Sequence, residues 1–154
     1  MTHPAKDAHP DAFAARAAHV RESFSRQGAM GLIGASIVEL RPGYCALAVV
    51  PRPELSQQHG YVHAGIVAAL VDSAGGYAGL TRFPDNAAVL TVEFKINLLA
   101  PAKGDRLLAE GHVVKAGRSL VVTRGEVHAE AGKTRTLVAL MQQTLIVMHG
   151  KPEI

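Results

Sequence analysis

The spacing of apolar and polar positions changes period several times along this 154-residue chain, and each change marks an element. In PDAFAARAAHVRESFSRQG (10–28), Phe13, Ala17, Val20 and Phe24 recur at steps of four, three and four, drawing one apolar stripe down a helix. Pro10 suits the first helical position and Gly28 the stop, with Arg21 and Arg26 in the last turns where the helix dipole favours cations. Residues 31–40 and 43–50 read as two strands joined at Arg41-Pro42-Gly43, followed by a loop, PRPELSQQHGYV. Residues 63–80 are apolar on every side, as in a buried helix. The chain breaks again at Phe83-Pro84-Asp85-Asn86.

Beyond that point the period is two. In AVLTVEFKINLL, Leu90, Val92, Phe94, Ile96 and Leu98 alternate with Thr91, Glu93, Lys95 and Asn97, which predicts a strand with one apolar and one polar face. PAKGD is a turn, and three longer strands follow at 106–115, 119–130 and 134–148, separated by turns at 116–117 and 131–133. Leu137, Ala139, Met141, Leu145 and Val147 mark one apolar face of the last strand, directed either at the central helix or at a covered outer surface. Six strands and one apolar helix predict an α+β domain in which an antiparallel six-stranded sheet wraps around that helix. A helix apolar all round needs cover all round, and a second subunit could supply what the sheet does not. Residues 1–10 are expected to be a disordered start and 11–148 a single domain.

Composition narrows the class. The chain is about half apolar, with a formal net charge of +3 and no dense Lys/Arg block with interleaved aromatics, so a nucleic-acid partner is not expected. The lone cysteine, Cys45, permits no intrachain disulfide and lies in an apolar strand, where it is expected to be buried and inert. The opening MTHPAKDAHPDAF has no signal-peptide core, and no apolar run reaches membrane-spanning length. A soluble cytoplasmic protein without a membrane partner is expected.

The chemistry gathers in HGYVHAGIVAALVDSAGGYAGL (59–80). A single carboxylate, Asp72, stands in the middle of the apolar helix. Desolvation makes an unpaired buried carboxylate costly, and the positions three and four away are Ala68, Ala69, Gly75 and Gly76, none of them a cation. A structural Asp72 would reach water or a distant cation from the helix edge; otherwise the position is that of a functional acid. The helix start is crowded with Gly60, His63 and Gly65. Its first N–H groups have no internal acceptor, so Ala64 and Gly65 can offer donors to a carbonyl oxygen gaining negative charge. His63 and Asp72 lie nine residues apart, about 13–14 Å along a helix, too far to serve one reacting carbon from the same chain. Either a twofold dimer sets two such helices antiparallel, each start meeting the other chain's Asp72, or one of the two residues is not catalytic.

G-x-x-H-A-G-x-x-x-x-x-x-x-D, as Gly60, His63, Ala64, Gly65 and Asp72, together with EFKINLLAPAKGD (93–105), resembles the PaaI-type acyl-CoA thioesterases of the hotdog fold over residues 25–148. The resemblance implies hydrolysis of an acyl-CoA thioester with aryl or medium-chain acyl preference. It places the acid, general base or nucleophile, on Asp72 and the oxyanion-binding amide on Ala64, with Gly65 retained beside it. Ala64 stands where the family usually has the first of two glycines, a change that leaves the amide N–H intact. His63 would orient the loop or contact the thioester, Gln57 falls where the family often has Asn, and Thr91 falls where a hydroxyl helps hold water. No cofactor is implied, coenzyme A being part of the substrate. The implied assembly is at least a homodimer, with a homotetramer expected.

Several alternatives stand beside this reading. His63 either touches the substrate or braces the helix start, and Thr91 is either a site residue or a solvated residue on the polar face of its strand. His59, His63, His112 and His128 do not form a zinc-ligand spacing. Arg82, Lys103, Arg106 and Arg118 could meet CoA phosphates, but isolated surface cations are the default reading. An acyl-thioester dehydratase or hydratase would pair a histidine with a carboxylate inside one site, and an acyl-CoA-binding sensor would be expected to lose the acid; Asp72 and its spacing fit the hydrolase better.

Overall fold

The structure is a computed structural model that describes residues 10–150, with side chains from residue 13. The expected disordered start therefore lies outside the described residues, apart from Pro10, which opens the first helix. The elements run α1 (Pro10–Ser25), α2 (Gly28–Ile33), β1 (Ser36–Arg41), β2 (Tyr44–Val49), a 3-10 turn (Pro53–Leu55), α3 (Ala64–Leu80), β3 (Ala87–Leu98), β4 (Arg106–Ala116), β5 (Leu120–Ala131) and β6 (Thr134–His149). All six strands join one antiparallel sheet in the order β1-β2-β4-β5-β6-β3. Helix α3 packs across one face of it, touching β2 through β6, so the expected α+β wrap of sheet around helix is what forms.

The stripe on α1 faces inward: Val20 is buried, and Phe24 packs edge-on against Tyr77 of α3. The first strand differs from expectation. Residues 28–33 are helical, because Met30 and Ile33, three apart, both reach the core, and Gly34 at φ 75° then closes the helix in the left-handed region. The N–H groups of Gly34 and Ala35 donate back to Gly31 O and Met30 O at 3.1 and 2.9 Å. Arg52 donates to the C-terminal carbonyls of Ile33 and Leu32 at 2.7 and 2.6 Å. That long-range cap leaves no trace in the local pattern. Strand β1 begins only at Ser36.

The core of α3 consists of Val67, Leu70, Val71, Ala74 and Ala78, packed on Leu47, Leu107, Val127 and Met141. Each leucine buried this fully contributes about 2 kcal/mol from transfer alone. Gly111 and Gly125 sit directly opposite one another on β4 and β5. A methyl at Gly111 would overlap the Ala74 backbone, and one at Gly125 would overlap Val71 Cγ2. The helix thus rests on bare strand backbone just where Asp72 leaves it. On β6, Ala139, Met141, Leu145 and Val147 face this core, which settles their direction. Leu137 pairs with the outward His128 beyond an irregularity at Val138 and falls on the other face.

Strand β3 also departs from simple alternation. A bulge at Val92 places Thr91 opposite Leu145 and Glu93 opposite Thr144. Directly opposed residues share a face, so Val89 and Thr91 join Phe94, Ile96 and Leu98 on the inner side, and Leu90 does not. Thr91 is therefore on the helix side of the sheet, not on the polar outer face that plain alternation predicts.

Cys45 is fully buried, and burial pushes its thiol up to about 12. Neighbouring Tyr44 is also pushed up to about 12, first by burial and then by the hydrogen bond its hydroxyl donates to Glu110 Oε1 at 2.9 Å. Both folded-state values exceed their unfolded references of 9.0 and 10.0, so the native state holds protons the unfolded chain releases. This stabilisation is complete below pH 9 and is lost as pH rises toward 12. Urea midpoints measured across that range are expected to fall steadily, and the Cys45→Ala variant to lose the earlier part of the fall.

Candidate active site

The loop before α3 is held by its own backbone. Gln57 N–H donates to Tyr61 O at 2.8 Å, Gly60 N–H to Gln57 O at 2.9 Å, and His63 N–H to Leu55 O at 2.8 Å. Gly60 takes φ 80°, a conformation that favours glycine. Gln57 Oε1 accepts from the His59 N–H, so this side chain braces the turn. Its side chain also lines a hollow of about 210 Å³ shared with Ala64, Leu98 and Ala100.

His63 is the N-cap of α3. Its Nδ1 accepts from Gly65 N–H at 2.9 Å, which places the ring hydrogen of a neutral imidazole on Nε2. A side chain at Gly65 would crowd that ring, with a Cβ 3.1 Å from Nδ1. The geometry separates two amides that the sequence left equivalent: Gly65 N–H is occupied by the cap, whereas Ala64, an exposed residue, has no acceptor for its N–H among the described residues. His63 makes no bond to Asp72.

Asp72 lies eight residues further along α3, about 12 Å from Ala64. Its carboxylate is half-buried in the wall of a separate pocket of about 420 Å³. Leu80, Val89 and Leu145 give that pocket an apolar side; Ser23, Gln27 and Tyr77 give it a polar one. Asp72 Oδ1 accepts from Thr91 Oγ1–H at 2.7 Å and from Gln143 Nε2–H. Among the described residues no hydrogen bond engages Oδ2. The bulge in β3 makes the Thr91 contact possible. Next to the acid, Ser73 Oγ donates to Gln27 Oε1 at 3.2 Å, tying the segment after α1 to the same wall.

Sequence reasoning missed Gln143 and its partner Thr123. A signal was present: the period of two puts Gln143 between Met141 and Leu145, and Thr123 between Val121 and Gly125, as polar residues on buried faces. Of the six sequence candidates, Asp72 and Thr91 meet at one pocket, and Gln57 and Ala64 at another beside His63 and Gly65. One chain therefore carries two separate groups of candidate residues at different points of one helix. Among the described residues, no helix is long and apolar enough to cross a membrane.

A profile of the thioesterase superfamily matches residues 59–136, from the loop before α3 to the start of β6. A provisionally named esterase of Halobacterium salinarum is 32% identical over 111 residues, covering 69% of this chain and 73% of that protein. The crystal structure of a thioesterase family protein from Silicibacter pomeroyi superposes with a TM-score of 0.86 at 44% identity, over 88% of this chain and 99% of that one. The PaaI protein of the E. coli phenylacetic acid degradation operon superposes with a TM-score of 0.81 at 19% identity, over 91% and 98% of the two chains, a likeness of fold. Family profile, relatives and architecture converge, and the chain belongs to the thioesterase superfamily as a thioester hydrolase of the hotdog fold.

Proposed function

We propose that the protein hydrolyses small aryl- or medium-chain acyl-CoA thioesters to the free acid and coenzyme A, at sites shared between two protomers. The reading is carried by one observation: an open helix-start amide at Ala64 and a carboxylate with one unbonded oxygen at Asp72 stand about 12 Å apart on the same helix. A twofold axis that sets two α3 helices antiparallel brings each Ala64 to the partner chain's acid. Strand β3 is suited to such an axis. It is an edge strand with an unpaired backbone ladder, and Leu90, Val92, Phe94 and Leu98 on it are each about half exposed in the single chain. The homodimer is the minimal catalytic unit in this reading, and two dimers form the homotetramer.

The acyl group occupies the pocket beside Asp72, whose volume suits a phenyl ring or a chain of several carbons. Ala64 N–H polarises the thioester carbonyl and holds the oxyanion. In one route Asp72 Oδ2 takes a proton from water as the water oxygen bonds to the carbonyl carbon; the C–S bond then breaks, and the thiolate takes up a proton. In the other, the carboxylate attacks first, expels the thiolate and forms an anhydride that water opens. His63 keeps the helix start in shape by capping it, and Thr91 steadies the acid.

Incubation with benzoyl-, phenylacetyl- and hexanoyl-CoA is expected to release free thiol, measured by a colorimetric thiol reagent, faster with at least one of the three than in enzyme-free controls. Release no faster than the blank with all three would remove this substrate class.

A further inference from the structure

We propose that Gln143 is a positioning residue for Asp72 and that Thr123 sets its orientation; this rests on Asp72 being the reacting carboxylate. Gln143 and Thr123 are 2% and 0% exposed, on the inner face of the sheet. Thr123 Oγ1–H donates to Gln143 Oε1 at 2.8 Å, which directs the amide nitrogen toward the helix. That nitrogen donates to Thr91 Oγ1 at 2.9 Å and to Asp72, at both Oδ1 and the main-chain oxygen, the latter at 3.1 Å. Thr91, having accepted there, spends its only hydroxyl hydrogen on Asp72 Oδ1 at 2.7 Å.

The chain of donors therefore runs one way, Thr123 to Gln143 to Thr91 to Asp72, and ends on a single carboxylate oxygen. Two donors on Oδ1 stop the carboxylate rotating and leave Oδ2 as the oxygen offered to the pocket. A turned amide would set Oε1 against Asp72 Oδ1 and the Asp72 carbonyl oxygen, acceptor facing acceptor. The slot is specific: a methyl at Gly75 would overlap Gln143 Oε1 and lie 2.8 Å from Thr123 Oγ1. An apolar side chain would fill the same space without the cost of burying an amide, so simple packing does not account for a glutamine between Met141 and Leu145.

The test compares Thr123→Val, Thr123→Ser, Gln143→Met and Asp72→Asn in steady-state hydrolysis of an acyl-CoA that the wild-type enzyme turns over. Thr123→Val and Gln143→Met are expected to lower kcat about 10- to 100-fold with KM unchanged, as expected for a misplaced reacting group. Thr123→Ser keeps the hydroxyl and is expected to recover kcat. A purely structural role would lower the thermal midpoint and leave kcat per folded molecule alone. Thr123→Val is nearly isosteric, so it decides the matter with Thr123→Ser even if Gln143→Met does not fold. Wild-type kcat in Thr123→Val, or a Thr123→Ser enzyme as slow as Thr123→Val, overturns the positioning role while an inactive Asp72→Asn leaves the underlying reading intact. Continued turnover by Asp72→Asn overturns that reading instead.

Discussion

Replacing Asp72 by Asn is expected to lower kcat by about 10²–10⁴-fold, the usual contribution of a positioned acid or base. The fold should survive. Asn presents a carbonyl oxygen where Oδ1 stood, so the donors from Thr91 and Gln143 keep an acceptor. What is lost is the charge and the proton-accepting capacity at Oδ2. KM should change little, because the carboxylate acts on the reacting atoms and not on the acyl body. The measurement is thiol release under saturating substrate, with elution volume and thermal midpoint as folding controls. Activity near that of wild type would move the chemistry away from this pocket, whereas loss of fold would make Asp72 a structural residue.

A second substitution tests the other half of the site. Ala64 is the first residue of α3, a position where proline is well tolerated. Ala64→Pro deletes one N–H and little else, because His63 Nδ1 caps Gly65 and the carbonyl of His63 still accepts from Ile66 and Val67. Loss of one oxyanion donor is expected to cost about 10²–10³ in kcat. The two inactive chains should then rescue each other. Coexpressed in equal amounts, Asp72→Asn and Ala64→Pro chains form mixed dimers that each contain one intact pairing of amide and acid. Random pairing makes half the dimers mixed, so about a quarter of wild-type activity should return. A site built within one chain predicts no recovery above the sum of the two variants.

The apolar helix with its single acid, the crowded helix start and the longer strands were legible because each is a local pattern. Residues 63–80 read as buried because no face was polar, and β4, β5 and β6 lie within a residue or so of where the period of two put them. Four features were not legible, each for its own physical reason. Helix α2 is only six residues long, too short for a period to declare itself, and it is capped by Arg52 from a distant part of the chain. The bulge at Val92 hides inside a run whose alternation looks unbroken, because Val92 is itself apolar and continues the pattern it interrupts. Gln143 was overlooked because Gln142 precedes it, and the pair reads as an ordinary polar stretch until the register shows which one is buried. The separation of Ala64 from Gly65 required the histidine ring itself to be placed.

The bulge at Val92 has an effect that reaches beyond the contact it creates. Side chains on a strand change sides at every step, so one surplus residue acts as a phase shifter: whatever precedes it is out of step with whatever follows. The first half of β3 sends Thr91 to the acid, while the second half turns Phe94, Ile96 and Leu98 to the same side on a different count. Deleting Val92 would remove the surplus residue and leave Thr91 and Phe94 two positions apart on a strand of uniform beat, so Thr91 should still face Asp72.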